Sequence, residues 1–182
     1  MSNQKAIGVF CAASETIDVA YADAAREFGN WMGENGHALV YGGASKGLME
    51  TTAAAVKSAG GKVVGVVPDI LISRNCVSTL LDEQITVTNL SERKDIMLER
   101  SDILVALPGG VGTLDEVFHV MGAATIGYQC KKVVFYNVNG FWNSLLALLD
   151  EYGRGGFLRD KAYERFATAD NLDQLKMIIN EK

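Results

Sequence analysis

The residues best suited to chemistry are Pro108-Gly109-Gly110-Val111-Gly112-Thr113-Leu114-Asp115-Glu116. They follow the apolar run Ile103-Leu104-Val105-Ala106 and lead into a segment patterned as a helix. Glycines between a strand end and a helix start leave a row of backbone N–H groups uncovered by side chains. The positive end of the helix dipole lies behind them, so the place suits a phosphate. Glu116 adds a carboxylate one turn inside that anion site. Phosphate binding has no need of an acid there, which points to a chemical role. A second reading fits the same residues. Thr113-x-x-Glu116 spells a capping box, with the Glu folded back onto the N-cap amide, and the glycines then serve a tight turn.

Three more segments offer functional side chains. Gly42-Gly43-Ala44-Ser45-Lys46-Gly47 is a second glycine-rich turn, Cys11-Ala12-Ala13-Ser14 follows the first apolar run, and Asn89 to Lys94 opens another helix. Together they bring hydroxyls (Ser14, Ser45, Thr113), cations (Lys46, Arg93, Lys94) and one acid, Glu116. Each has a structural alternative. Ser45 suits the cap of the next helix, Arg93 and Lys94 suit a solvated first turn, and Lys46 suits the surface. His119, one turn past Glu116, suits packing or an interface, and Cys11 a small strand-end position. No GxGxxG follows the first strand, and GGASKG lacks the Gly-Lys-Ser/Thr of a P-loop, so a dinucleotide cofactor and ATP hydrolysis are both disfavoured.

The elements that must position these groups follow from periodicity. Short, nearly all-apolar runs predict strands at 6–10, 38–41, 63–67, 102–107, 133–137 and 166–169, and an alternating β-branched run predicts one at 84–88. Helical spacing predicts helices at 18–35, 48–59, 91–100, 113–127, 143–152 and 172–180. Apolar strands alternating with helices mean an α/β protein, a Rossmann-like doubly wound parallel sheet in three α/β/α layers. One nucleotide-binding domain over residues 1–182 is expected. With the strand order 3-2-1-4-5, all four loops converge on one crevice beyond the strands' carboxyl ends.

Composition narrows the classes. The 182 residues are 48% hydrophobic and 21% charged with a net charge of −5, which argues against a nucleic-acid or membrane-surface binder. No apolar stretch is long enough to span a membrane, and the start of the chain lacks a signal-peptide pattern. Three widely spaced cysteines form neither a zinc pattern nor a disulfide framework, so a cytoplasmic location is expected. Two histidines make a histidine-rich metal site unexpected.

YGGASKGLM and PGGVGTLDE, with SERKDIM between them, resemble the motifs of the Lonely Guy family of cytokinin-activating phosphoribohydrolases, long labelled lysine decarboxylases. The likeness runs from VFCAAS through NVNGFWNSLLALLD. It implies cleavage of the N-glycosidic bond of a nucleoside 5′-monophosphate to free base and ribose 5-phosphate, without metal or cofactor. It implies Arg93 and Glu116 as the catalytic pair. Gly109, Gly110, Val111, Gly112 and Thr113 become the phosphate cradle, with Ser14 and Ser45 beside it. Lys94 and Gly43 are further substrate contacts.

The chain departs from the family pattern at Glu50, where members often have Gly, and at Ala12-Ala13-Ser14. His119, Ala123 and Thr125 also differ, near the base and the subunit interface in the family, so base preference is open. A non-catalytic nucleotide carrier or sensor is the alternative. The decarboxylase label requires a pyridoxal Schiff-base lysine, for which the chain shows no context. Helix 113–127 carries apolar residues on more than one face, which predicts a homodimer.

Overall fold

The computed structural model describes residues 4–158 and 164–181. Among them, seven strands form one sheet: β1 (Ala6–Phe10), β2 (Ala38–Tyr41), β3 (Val63–Pro68), β4 (Glu83–Val87), β5 (Ile103–Ala106), β6 (Val133–Tyr136) and β7 (Phe166–Ala169). Every pairing is parallel. The helices are α1 (Val19–Glu34), α2 (Gly47–Ser58), α3 (Asp69–Ser73), α4 (Leu90–Glu99), α5 (Val111–Thr125), α6 (Asn143–Arg154) and α7 (Leu172–Asn180).

Side chains alternate across the sheet, as strand geometry requires, and each face has its own core. On one side Ile7, Val9, Leu39 and Val105 pack with Phe28 and Met32 of α1, Leu48 and Val56 of α2, and Leu175 of α7. On the other side Phe10, Val40, Leu104 and Ala106 pack with Met97 of α4, Val117 and Val120 of α5, and Leu149 of α6. The expected three layers are therefore present. Pro68, expected just past a strand end, is the last residue of β3 and lies opposite Val87. At that position its missing N–H ends a ladder and does not interrupt one.

The strand order differs from expectation. It runs β4-β3-β2-β1-β5-β6-β7, so β5, and not β4, lies beside β1, in the register Ile7↔Ile103 to Phe10↔Ala106. The reason lies in the side chains. All four residues of β5 are buried, as a central parallel strand requires, whereas β4 alternates half-buried and exposed positions and suits the outer edge. Helix α4 must then carry the chain back from that edge to the centre of the sheet, across the end of β3. Its start is pinned by a reciprocal cap. Asn89 Oδ1 accepts from the Glu92 amide at 2.9 Å, and the Glu92 carboxylate accepts from the Thr88 amide at 2.9 Å.

Candidate active site

The start of α5 is an open row of amides. Its N-cap is Gly110, which makes no side-chain cap, and the first intrahelical bond runs from the Leu114 amide to the Gly110 carbonyl at 3.0 Å. The amides of Val111, Gly112 and Thr113 precede that bond and have no intrahelical acceptor. A Cβ added at Gly110 or Gly112 would meet nothing within 4 Å, and neither glycine has a positive φ. Neither internal packing nor turn conformation demands glycine at these two positions, so the tight-turn reading fails there, and bare amides facing open space fit an anion. Gly109 differs. A Cβ there would lie 2.1 Å from Thr113 Oγ1, so the Thr113 side chain folds back against the loop and is buried.

These positions overturn the capping box. Thr113 is the third residue of the helix and not its cap, which places Glu116 in the second turn, where its side chain cannot reach the N-cap amide. Glu116 is 7% exposed, and its carboxylate makes no hydrogen bond among the described residues. Burial raises its pKa to about 7, against the opposing charge of Arg93. A buried acid with its pKa raised toward neutrality, beside an open helix start, suits proton transfer or stabilisation of a developing cation.

Arg93 comes to this acid from α4. Its Nε donates to the Val66 carbonyl at 3.1 Å and one terminal nitrogen, Nη2, donates to the Gly42 carbonyl at 2.8 Å. The guanidinium is thus clamped over the ends of β2 and β3, not solvated in a first turn. Burial lowers its pKa, while Glu116 and Cys11 raise it. Cys11, at the end of β1, feels both charges; burial pushes its thiol far up and keeps it protonated, a floor residue and not a nucleophile. Lys94 turns the other way, onto Asp115 at 2.8 and 2.9 Å, with only 15% of its side chain exposed. One turn deeper, His119 Nε2 meets Asp95 Oδ1 at 3.0 Å. Two cross-helix pairs therefore hold the consecutive residues Arg93-Lys94 and Asp115-Glu116 in register.

The remaining loops converge as expected. The Ala12 amide donates to the Pro108 carbonyl at 3.1 Å, and the Leu48 amide donates to the Ala12 carbonyl at 2.9 Å. Ser14 is exposed, with its hydroxyl near Thr16, and Ser45 is half-buried. Ser45 does not cap α2, whose N-cap is Lys46 without a side-chain bond. Gly43 has φ +72, and a Cβ there would strike Val67, so it serves the turn. Sequence reasoning gave no positioning role to Asp115, Gly42 or Val66. The adjacency of a basic pair and an acidic pair signalled the first; the carbonyls that hold Arg93 carry no signal. Among the described residues, no group of three or more His, Cys, Asp or Glu is placed to hold a metal ion, and no helix is long and apolar enough to cross a membrane.

Fold and site together define a Rossmann-like α/β protein in which an open helix start lies near a half-buried arginine and a buried glutamate. The family model described as "Possible lysine decarboxylase" matches residues 49–178. A probable cytokinin riboside 5′-monophosphate phosphoribohydrolase of Oryza sativa subsp. japonica is 38% identical over 99% of this chain and 79% of its own length. A cytokinin riboside 5′-monophosphate phosphoribohydrolase of Arabidopsis thaliana is 36% identical over 99% of this chain and 84% of its own length. The chain belongs to this family, the Lonely Guy proteins. The fold is also that of a molybdenum cofactor binding protein from Rippkaea orientalis, with a TM-score of 0.73 at 22% identity over 98% of this chain and 97% of that one.

Proposed function

We propose that this protein hydrolyses the N-glycosidic bond of a nucleoside 5′-monophosphate, releasing the free base and ribose 5-phosphate. The observation that carries the reading is Glu116. It is a buried acid whose pKa burial raises to about 7 against the charge of Arg93, one turn inside three open amides. In this reading the 5′-phosphate sits on the amides of Val111, Gly112 and Thr113, which orient the nucleotide and do no chemistry. Cleavage builds positive charge on the ribose, of the oxocarbenium kind that glycosidases meet with carboxylates. Ionised Glu116 stabilises that charge or takes the proton of the attacking water. Arg93, held by two carbonyls, hydrogen-bonds the departing base and balances its developing negative charge. Water's oxygen bonds to the anomeric carbon and the base leaves with a proton, so the reaction needs no other reactant.

The protein is read as one nucleotide-binding domain, acting in the cytoplasm, where its three free cysteines stay reduced. It is read as a homodimer through α5. There Val117, Val120, Met121 and Ala124 face the core, while Phe118 is 44% exposed on the other side and Ile126, the C-cap residue, is 67% exposed.

The test is a product assay on nucleoside 5′-monophosphates and the matching nucleosides. The nucleotide is expected to be cleaved and the nucleoside far more slowly, because the open amides then hold nothing. Equal rates on both refute the phosphate role. Binding of the nucleotide without product, unaltered by loss of Glu116, establishes a carrier instead.

A further inference from the structure

The first turn of α5 has little packing of its own. Gly110 and Gly112 have no side chains, and Val111 is 84% exposed. Thr113 is buried, but it packs back on Gly109 of the same loop. The body of the helix differs, because Val117, Val120 and Met121 lock it into the core. The placement of the open amides therefore depends on what holds the end of β5, from which the loop springs.

That end is held from two sides. Toward β1, the Leu107 amide donates to the Phe10 carbonyl at 2.9 Å, and the Pro108 carbonyl accepts from Ala12. Toward β6, the indole Nε1 of Trp142 donates to the Ala106 carbonyl at 3.2 Å, away from solvent. The indole is itself fixed. It is 3% exposed and meets the rings of Phe135 and Phe141 at 5.4 and 4.7 Å between centroids. The Trp142 backbone amide donates to Asn137 Oδ1 at 2.8 Å. Asn137 Nδ2 donates in turn to Asn143 Oδ1 and Asp170 Oδ1, both at 2.9 Å, which ties the ends of β6 and β7 to the start of α6. A satisfied network of this kind rigidifies what it holds.

We propose that Trp142 is a positioning residue for the phosphate subsite. Its indole N–H fixes the end of β5 and, through it, the amides of Val111, Gly112 and Thr113. The inference rests on the phosphoribohydrolase reading. Arg93 hangs on the Val66 and Gly42 carbonyls, and Glu116 stands on the packed body of α5. Loss of the indole N–H therefore falls on phosphate binding and spares bond cleavage.

The experiment removes the N–H and keeps the ring. The chain has two tryptophans, so in a Trp31→Phe background Trp142 is the only one. Incorporation of 3-benzothienylalanine there replaces the N–H by sulfur without opening a cavity, and Trp142→Phe is the conventional variant beside it. Each protein is measured for ribose 5-phosphate affinity by calorimetry, and for kcat and KM on a nucleoside 5′-monophosphate and its nucleoside. Both replacements are expected to weaken ribose 5-phosphate by about tenfold, the scale of one hydrogen bond to a charged group. KM for the nucleotide rises by a similar factor, while kcat stays within about threefold and kcat/KM for the nucleoside is unchanged. Unchanged ribose 5-phosphate affinity in the sulfur isostere overturns the assignment, as does an equal loss on nucleotide and nucleoside, the mark of a merely structural role. A wild type that binds ribose 5-phosphate but releases no base overturns the hydrolase reading alone, and the affinity series still decides the role of Trp142.

Discussion

Gly42→Ala is the sharpest perturbation the structure offers, because it moves a catalytic group without touching it. An ideal Cβ at Gly42 falls 1.6 Å from Arg93 Nη2 and 2.7 Å from its Cζ. Ordinary contact between such atoms lies near 3.5 Å, so the guanidinium must retreat by roughly 2 Å. Gly42 has no positive φ, so alanine fits its backbone and the damage stays local to Arg93. The retreat breaks the bond to the Gly42 carbonyl and disturbs the one to Val66. Misplacing a catalytic group by about 1 Å costs on the order of 100-fold in rate, or roughly 2.7 kcal/mol of barrier. The assay is kcat/KM for base release, with circular dichroism melting as the folding control. Gly42→Ala is expected to lose about 100-fold while remaining folded. Gly42→Ala combined with Arg93→Ala is expected to be no worse than Arg93→Ala alone, since both act through one side chain. A Gly42→Ala protein within threefold of wild type refutes the argument, as does a double variant whose losses multiply.

Glu116→Gln is expected to lower kcat by at least about 100-fold, the scale of removing one electrostatic stabiliser, and a near-normal rate in a steady-state assay removes the residue from the mechanism. The same variant has a signature in stability. The folded protein prefers Glu116 protonated, with its pKa raised from 4.5 to about 7, so wild-type stability falls as pH rises through that window, by on the order of 3 kcal/mol. Gln carries no such penalty, so the variant should melt higher than wild type at pH 8 and much like it below pH 4.5; equal melting temperatures at pH 8 contradict the burial argument. For the dimer, Phe118→Glu with Ile126→Glu places charges on the exposed face of α5 and is expected to yield monomers by light scattering at micromolar concentration. A wild-type protein that is itself a fully active monomer refutes the interface.

Much of the architecture was legible in the chain itself. Apolar runs of four to six residues, Val63-Val64-Gly65-Val66-Val67-Pro68 among them, mark strands buried on both faces, and the helical spacing of Phe28 and Met32 marks a covering helix. Periodicity reports local burial, and in a doubly wound sheet local burial is enough to name the layers. The open amides at Gly110–Thr113 were legible for a related reason, since glycines before a helix start announce uncovered backbone wherever the chain goes. The alternation at 84–88 reads only as a strand, expected beside the first one, whereas β4 lies at the sheet's edge.

Other features required the tertiary structure, because they join residues through space and not through pattern. Nothing local says that β5 lies beside β1, or that α4 crosses back to hang Arg93 on the carbonyls of Gly42 and Val66, 51 and 27 residues away. Helix α5 begins at Val111 and not at Thr113, because Thr113 packs back onto Gly109. That shift of two residues removes the capping reading of Glu116 and leaves it a buried acid. The pairing of Lys94 with Asp115 and the bond from the Trp142 indole to Ala106 have the same origin. Burial and hydrogen-bond satisfaction are properties of the assembled neighbourhood, and a side chain's chemistry is set there.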